Sequence, residues 1–444
     1  MDLLPRPILL LLLCCTYGLL TLPGQAGAPL KGTRSPVAFH IALYFSPTPK
    51  TDPQRLLADL IEKAAPELSA AGASAKADDI TVGSDWVPLT EYPPLAPNSY
   101  RHFAIGVTQD MDEPISRSQR VLVLHFAAPG EKALRANQIA CSLISQLAAS
   151  TGGLPWDEEC RQLYSPEKWK QHRVDTWQGP LPDMRSQVTM HAYRNPTLVR
   201  LITLGMKKFG LPDLCIAEVP SSNTRAAGNL INACLQSLVE GNWPEKGRFT
   251  LVLAALRHDK VRESALENPL EKATGRLVLS FRNAPPEEGD PTNRLWTPDF
   301  PEFSASTFTE RLELGTASLY GSEEKVLMSR KDDPEMKAAR ERAHRDFMAK
   351  LPSLQRPFAP NERIIVKAPF SVSEGTEYMW VEVLHLKEDT LEGVLINDSL
   401  YDTRLRTGLR TTVRYADVYD YLHYKADGTE EGNETGKILE KRGK

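Results

Sequence analysis

Five short runs of alternating apolar and polar residues follow one another near the C-terminus, and they restrict the possible fold more than any other feature of the sequence. A period of two residues is typical of β-strands with one buried face. The runs are 363–368, 376–386, 391–396, 411–415 and 417–424. Together with the charged helix that precedes them, they predict a small SH3-like β-barrel or rolled sheet.

The rest of the chain mixes helical and strand periodicity. Helical spacing is clearest at residues 131–149 and 221–240, and strand patterns surround these helices without regular alternation. This order favours an α+β fold with a sandwich-type N-terminal region over a doubly wound sheet. The predicted divisions are an α+β unit at 37–180, a second unit at 181–284, a Pro-rich irregular linker at 285–331, a helix plus β module at 332–432 and a polar tail at 433–444.

The first 26 residues have the order of regions found in a secretory signal peptide. Arg6 gives a weakly positive start, residues 8–20 form an apolar run, and small residues follow, with cleavage expected after Ala26. The run is shorter than the roughly 20 residues that span a bilayer as a helix. We therefore predict an exported chain, periplasmic or secreted, with no membrane span after cleavage.

Two alternatives to a cleaved leader stay open. The segment could remain as an uncleaved anchor, or Cys14 or Cys15 could carry a lipid. The lipoprotein is the weaker alternative, because Leu13 precedes Cys14 where a small residue is normally required.

Export changes how the remaining cysteines are interpreted. Cys141, Cys160, Cys215 and Cys234 form an even set in a compartment that permits disulfides. Four cysteines allow three pairings, and the sequence does not choose among them. Buried free thiols are the alternative, because Cys141 and Cys234 lie in apolar helical patterns.

Charge and motifs exclude several classes of function. The chain has 53 Lys and Arg against 57 Asp and Glu, a net charge of -4, whereas a nucleic-acid-binding protein normally has a basic excess. It has no Gly-x-Ser-x-Gly elbow, His-Glu-x-x-His zinc helix or Gly-x-Gly-x-x-Gly loop. We therefore expect no cofactor, no metal site and no nucleic-acid partner.

The C-terminal blocks at 365–370, 377–383, 393–398 and 417–421 resemble the bacterial domain of unknown function 2314, which YegJ-like proteins carry. The resemblance covers about 110 residues and includes the charged helix. Ser399 replaces a proline that the family often has at that turn. Blocks at 154–157 and 205–214 are similar to upstream regions of longer members. The resemblance implies a bacterial origin and a small β module, but it assigns no activity and no catalytic residues.

Two charged motifs are candidate sites. Lys207 and Lys208 lie between a strand and a Gly-Leu-Pro turn, where two ammonium groups could hold an anion. Asp157, Glu158 and Glu159 follow Trp156, and clustered carboxylates could perform acid–base chemistry. The structural alternatives are a solvated turn for the lysines and a helix cap for Asp157.

The third candidate is an aromatic strand face. Alternation in 376–386 puts Tyr378, Trp380 and Glu382 on one face, with Asn397 and Asp398 in the turn after the next strand. Aromatic faces on small β modules commonly bind peptides. The alternative is that Trp380 packs under the preceding helix.

These observations favour a non-enzymatic, exported binding protein. Its C-terminal module would hold a protein, peptide or polysaccharide of the bacterial cell envelope. The second hypothesis is an envelope hydrolase that uses Asp157, Glu158 and Glu159. A catalytic site would bring two of the candidate groups into one concave pocket.

Overall fold

The computed structural model describes residues 34–321 and 333–442, apart from short gaps at 46–48, 50, 65–66, 72–75, 77, 96–102, 109–110, 112–114, 116, 196–197, 268–271, 306, 360 and 374. The predicted signal peptide at 1–26, with Cys14 and Cys15, lies outside the described residues.

The N-terminal unit is built on a seven-stranded mixed sheet. In spatial order the strands are β2, β3, β5, β1, β6, β7 and β4. Their bounds are β1 (Val37–Tyr44), β2 (Leu68–Ala70), β3 (Ile80–Pro88), β4 (Ala104–Ile105), β5 (Arg120–Ala128), β6 (Leu154–Asp157) and β7 (Gln162–Tyr164).

Helices α1 (Pro53–Ala64) and α2 (Ala133–Thr151) contribute to the core on one face of this sheet. Strand alternation places Phe39 and Ile41 on that face, where they join Ile144 and Leu147 of α2 in one buried apolar cluster. The short helix α3 (Pro166–Trp169) and the π-helical turn Lys170–Val174 follow β7. A two-stranded hairpin of β8 (Trp177–Gln178) and β9 (Leu181–Pro182) then leads to the middle unit.

The middle unit has a six-stranded sheet in the order β10, β11, β12, β15, β14 and β13. The strands are β10 (Thr189–Asn195), β11 (Leu198–Leu204), β12 (Asp213–Val219), β13 (Phe249–Val252), β14 (Arg276–Asn283) and β15 (Leu295–Asp299). Its helices are α4 (Met184–Gln187), α5 (Thr224–Val239), α6 (Asp259–Leu266) and α7 (Phe308–Tyr320). Leu230 and Leu238 of α5 pack with Leu312 of α7 in its main core.

The segment predicted as an irregular linker, 285–331, contains a β-strand and an α-helix, β15 and α7. β15 pairs in parallel with β12 and antiparallel with β14, and α7 packs on α5. Pro298 removes one backbone donor from β15, but the burial of Leu295 and Trp296 holds the strand in the sheet. The middle unit therefore extends to residue 321, and part of the predicted linker, 322–331, lies outside the described residues.

The C-terminal module, residues 333–442, has a six-stranded antiparallel sheet in the order β19, β18, β17, β16, β20 and β21. Its strands are β16 (Arg363–Val372), β17 (Gly375–Leu386), β18 (Thr390–Leu395), β19 (Arg410–Arg414), β20 (Asp420–Tyr424) and β21 (Glu430–Gly432). Helix α8 (Pro334–Leu354) precedes the sheet, and helix α9 (Glu434–Arg442) follows it.

The structure of this module differs from two of the sequence-based expectations. The strand order ends at β19 and β21, so the described sheet is open and does not close into an SH3-like barrel. The predicted polar tail contains helix α9, because Asp420 accepts hydrogen bonds from the backbone and hydroxyl of Thr435 and Ile438 packs on α8. The mixed α+β class is confirmed.

Helix α8 covers the core face of the C-terminal sheet. Asp333 caps its first turn, and Phe347 and Leu351 pack against Val366 and Val381. Trp380 points to the opposite face of β17, so it does not pack under this helix.

Within the described ranges, no helix is long and apolar enough to cross a membrane. Cys141, Cys160, Cys215 and Cys234 are all buried free thiols in this structure. Burial raises the pKa of Cys141 and that of Cys215 to about 11, which keeps these two thiols protonated near neutral pH.

Candidate functional site

Both charged motifs lie at the seam between the N-terminal and middle units. Asp157 ends β6, and Lys207 and Lys208 lie in the 3-10 turn Met206–Phe209 that follows β11. Gly205 starts this turn with a φ of 116°, and an added Cβ atom there would lie 2.5 Å from the Cys160 sulfur. A glycine is therefore needed for the turn to approach the loop after β6.

A buried ion network joins the two motifs. Lys208 Nζ lies 2.5 Å from Asp157 Oδ2, and Arg173 Nη2 lies 3.0 Å from the same oxygen. None of the three side chains is more than 3% exposed. Burial alone would raise the pKa of Asp157, but the charges of Lys208 and Arg173 outweigh it and lower that pKa. Asp157 is thus held ionised by two cations.

Cys160 lies against this network without being activated by it. Its backbone N–H donates to Asp157 Oδ1 at 3.2 Å, and Lys208 Nζ lies 3.3 Å from its sulfur. Burial raises the pKa of the thiol despite the nearby cations. A buried thiol with a raised pKa is a poor nucleophile.

The second pair lies closer to the surface. Lys207 Nζ is 2.9 Å from Glu159 Oε1, with the two side chains 36% and 11% exposed. His40 and His125 lie on the neighbouring sheet face, where burial, His125 and Lys207 together lower the pKa of His40 to about 4. His40 is therefore neutral near pH 7 and cannot act as a general acid there.

Glu158 has other partners than the two lysines. It accepts hydrogen bonds from Trp156 Nε1 at 2.7 Å and from the Tyr92 hydroxyl. Each of the three predicted carboxylates thus has a protein partner. Two surface cavities within the described residues, of about 370 and 550 Å³, are lined by other residues.

Sequence reasoning missed Arg173 and Asp213 at this seam. Asp213 is fully buried and accepts hydrogen bonds from Thr203 Oγ1, Met206 N and Asn293 Nδ2. Burial raises its pKa to about 7 although these donors oppose the shift. The Leu-Pro-Asp-Leu order of residues 211–214 placed a charge inside an apolar strand, and that was the available signal.

The aromatic face of β17 is the third site. Tyr378 is 38% exposed, and its ring centroid lies 4.3 Å from that of Tyr419. The Arg340 guanidinium lies 4.9 Å from the Tyr419 ring, and Lys367 Nζ lies 5.4 Å from the Trp380 ring. We call these five residues the aromatic patch. Tyr419, Arg340 and Lys367 were not predicted, because they come from other elements than β17.

Three predicted members of this site have other contacts. Glu382 is 1% exposed and accepts hydrogen bonds from Ser221 N and Ser222 N of the middle unit at 2.9 and 3.0 Å. Asn397 Oδ1 accepts from Trp380 N, and Asp398 Oδ1 accepts from Thr407 N and Oγ1. Glu382 is therefore part of an interface within the chain, whereas Asn397 and Asp398 hold the loop after β18.

Residues 333–442 match the model of a family described as an uncharacterized protein conserved in bacteria, DUF2314. The resemblance found in the C-terminal blocks is confirmed over this region. The aromatic patch lies entirely within the matched residues, and the charged seam lies outside them. No curated protein and no solved structure matches the chain.

Proposed function

We propose that this protein is an exported, non-enzymatic binding protein whose C-terminal module holds an acidic peptide segment of an envelope protein. The ring pair of the exposed Tyr378 and the half-buried Tyr419, flanked by Arg340 and Lys367, is the observation that carries the proposal. Tyr378, Trp380 and Lys367 lie on the outer face of the sheet, and Arg340 of α8 lies over the Tyr419 ring, so a bound segment meets rings and cations together.

The chemistry of the patch favours an acidic peptide over an uncharged one. Tyrosine and tryptophan rings supply contact area with few rotatable bonds, and their polar atoms can hydrogen-bond to a peptide backbone. Arg340 is positioned to pair with a carboxylate, and a guanidinium can bind one through two parallel hydrogen bonds. Burial lowers the pKa of Lys367, although the Asp420 carboxylate opposes the shift.

The binding experiment is an affinity capture from envelope extract with three forms of the full chain. The natural protein should retain one dominant partner, and Tyr378→Ala and Trp380→Ala should each lose it at least tenfold. Leu266→Ala is the matched control, because Leu266 is 41% exposed on α6 of the middle unit, outside the module that carries the patch. Retention of every partner by both aromatic variants would contradict the proposal, and so would equal loss in the control.

A second step identifies the ligand chemistry. A peptide from the captured partner, with its acidic residues intact or changed to amides, is titrated into the natural protein. The amide form should bind more weakly, and added salt should weaken only the acidic form. Equal affinities of the acidic and amide peptides would contradict the proposed selectivity for negative charge. They would also show that Arg340 does not contribute to binding.

Export is supported by the leader pattern of residues 1–26. Arg34 donates hydrogen bonds to the backbone oxygens of Phe209 and Val239, at 3.1 and 2.5 Å. Arg34 lies after Ala26, the predicted cleavage position, so these contacts would be kept in a chain that has lost its leader. Cell fractionation and N-terminal sequencing test this. A chain with residues 2–26 deleted is the control that should stay in the cytosol, and a natural chain found there with its leader intact would contradict export.

The hydrolase hypothesis is less well supported by the geometry. Asp157 is fully buried and paired with two cations, so a substrate cannot reach it in this conformation. The hypothesis still predicts hydrolysis of a cell-wall or ester substrate that disappears in Asp157→Asn. An Asp157→Asn protein that is folded and fully active would eliminate it.

A further inference from the structure

The C-terminal module docks on the middle unit through the outer face of β17. The Glu382 carboxylate accepts hydrogen bonds from the backbone N–H groups of Ser221 and Ser222. These residues begin the 3-10 turn Ser221–Asn223, which continues into α5, so their N–H groups lie at the positive end of a helix. A carboxylate from one unit thus caps a helix of the other.

Apolar and polar contacts surround this cap. Leu384 and Val394 of the module form a buried cluster with Leu198 of β11. Arg406 lies 3.4 Å from the buried Glu310 of α7, and the more exposed Arg410 lies 3.9 Å from Glu218. The interface therefore has a small dry core with ion pairs at its margin.

The interface also gathers carboxyl groups. Glu313 lies one turn after Glu310 on α7, the helix that Arg406 of the module contacts, and the charges of Glu382 and Asp398 act on it. Burial raises the pKa of Glu313 to about 7, the two carboxylates add to the shift, and a hydrogen bond from Asn223 opposes it. Glu310 of α7 and Glu218 of β12 are further carboxylates at this seam, and each lies near an arginine of the module, Arg406 and Arg410 respectively.

We propose that the docking of the C-terminal module on the middle unit is a pH-sensitive contact, which loosens when Glu313 ionises beside Glu382 and Asp398. Loosening frees the part of the β17 outer face that carries Glu382 and Leu384. This part is continuous along the strand with Tyr378 and Trp380, so the exposed surface beside the aromatic patch becomes larger. The inference does not depend on what the patch binds.

The direction of the pH effect follows from the carboxyl group itself. An acid whose pKa is higher in the docked state stabilises docking fully below its ordinary pKa of 4.5. That stabilisation is lost as the pH rises through about 7, the value in the docked state. Docking is therefore tight in mildly acidic solution and weaker at pH 8.

Hydrogen exchange at Ser221 and Ser222 tests the proposal on the full chain, because Glu382 holds both N–H groups. Protection, corrected for the intrinsic exchange rate, should fall by up to roughly 100-fold between pH 5 and 8.5. In Glu313→Gln it should stay constant. Glu341→Gln is the matched control, since Glu341 is exposed on α8 and this variant should behave like the natural protein. The β5 amides should not change in any form.

A constant protection in the natural protein, or the same fall in Glu313→Gln, would overturn the proposal. A second measurement covers the case in which Glu313→Gln does not fold. Spin labels on Glu263→Cys and Asp427→Cys, both exposed positions, report the distance between the two units without altering the seam. The four natural thiols of the described chain are buried, so they do not compete for label. A broader distance distribution at pH 8.5 than at pH 5 supports the proposal, and identical distributions contradict it.

Discussion

The two seams of this protein use charge in opposite ways. At the seam between the N-terminal and middle units, the Asp157 carboxylate faces two cations, and Glu159 faces Lys207. At the seam between the middle unit and the C-terminal module, two ion pairs lie at the margin, and Glu313 lies near two other carboxylates. A buried contact between opposite charges is costly to break. The stability of a contact that brings carboxyl groups together depends instead on whether they are protonated.

The largest expected effect is at the first seam. Lys208→Met removes one partner of a fully buried ion pair and leaves Asp157 with Arg173 alone. Losing one member of a buried pair typically costs about 3–5 kcal/mol. Urea unfolding of the full chain measures the difference.

Lys207→Met is the matched control for this prediction. Lys207 neighbours Lys208 in the same turn, but its side chain is 36% exposed. An ion pair of this kind contributes about 0–1 kcal/mol. Equal losses in the two variants would mean that the Asp157 network does not hold the first seam together.

The next effect is at the second seam, where Glu382→Ala removes the carboxylate that caps α5. Hydrogen bonds to a charged group contribute about 1.5–3 kcal/mol, and the N–H groups of Ser221 and Ser222 would lose their acceptor. We expect Ser221 and Ser222 to lose exchange protection at every pH, while the β1 and β5 amides keep theirs. Loss of protection in all units would show that the module and the N-terminal unit unfold together. The two seams would then not differ in how independently they open.

At the first seam, Asp213 is a buried carboxyl group whose hydrogen-bond partners are uncharged, and it leads to a prediction about pH. Asp213 has a pKa of about 7 instead of its usual 3.8 because it is buried. Its contribution to stability is therefore greatest below pH 4 and is lost as the pH rises through 7. The slope reaches at most about 1.4 kcal/mol per pH unit in that interval.

Asp213→Asn should flatten this part of the profile when urea unfolding is measured from pH 5 to 8. The absolute stability of the variant is not the readout, because an amide cannot accept from Asn293 as the carboxylate does. Glu313 titrates in the same range, so the slope that remains in Asp213→Asn should disappear when Glu313→Gln is added. An unchanged slope in the double variant would assign the pH dependence to other groups.

The sequence predicted the elements better than the seams. Strand periodicity gave the faces of β17 correctly, so Met379 and Val381 are buried and Tyr378 is exposed. It did not predict that Glu382, on the same face as Tyr378, would be buried by another unit. Periodicity describes one strand at a time, whereas the neighbour that covers a face depends on the packing of distant segments.

The charged motifs show the same limit. Asp157 and Lys208 were each recognised, but as separate sites, because they are 51 positions apart in the sequence. Their attraction is visible only once β6 and the turn after β11 are placed side by side. The Pro-rich composition of 285–331 was misleading for a related reason: β15 is held by burial between two strands and not by its own strand propensity.

The smallest effect on stability, and the sharpest separation of binding from folding, is expected for Tyr378→Ala. The side chain is 38% exposed, and its main contact is the Tyr419 ring, so the loss should not exceed about 1 kcal/mol. Partner capture should nevertheless fall at least tenfold, because the ring presents its free area to the ligand. Tyr401→Ala removes an equally exposed tyrosine, at 42%, from the loop after β18 and serves as the control. If Tyr378→Ala and Tyr401→Ala each lost both stability and partner binding, the patch would have a structural role in the module. The partner-binding surface would then be sought at the second seam.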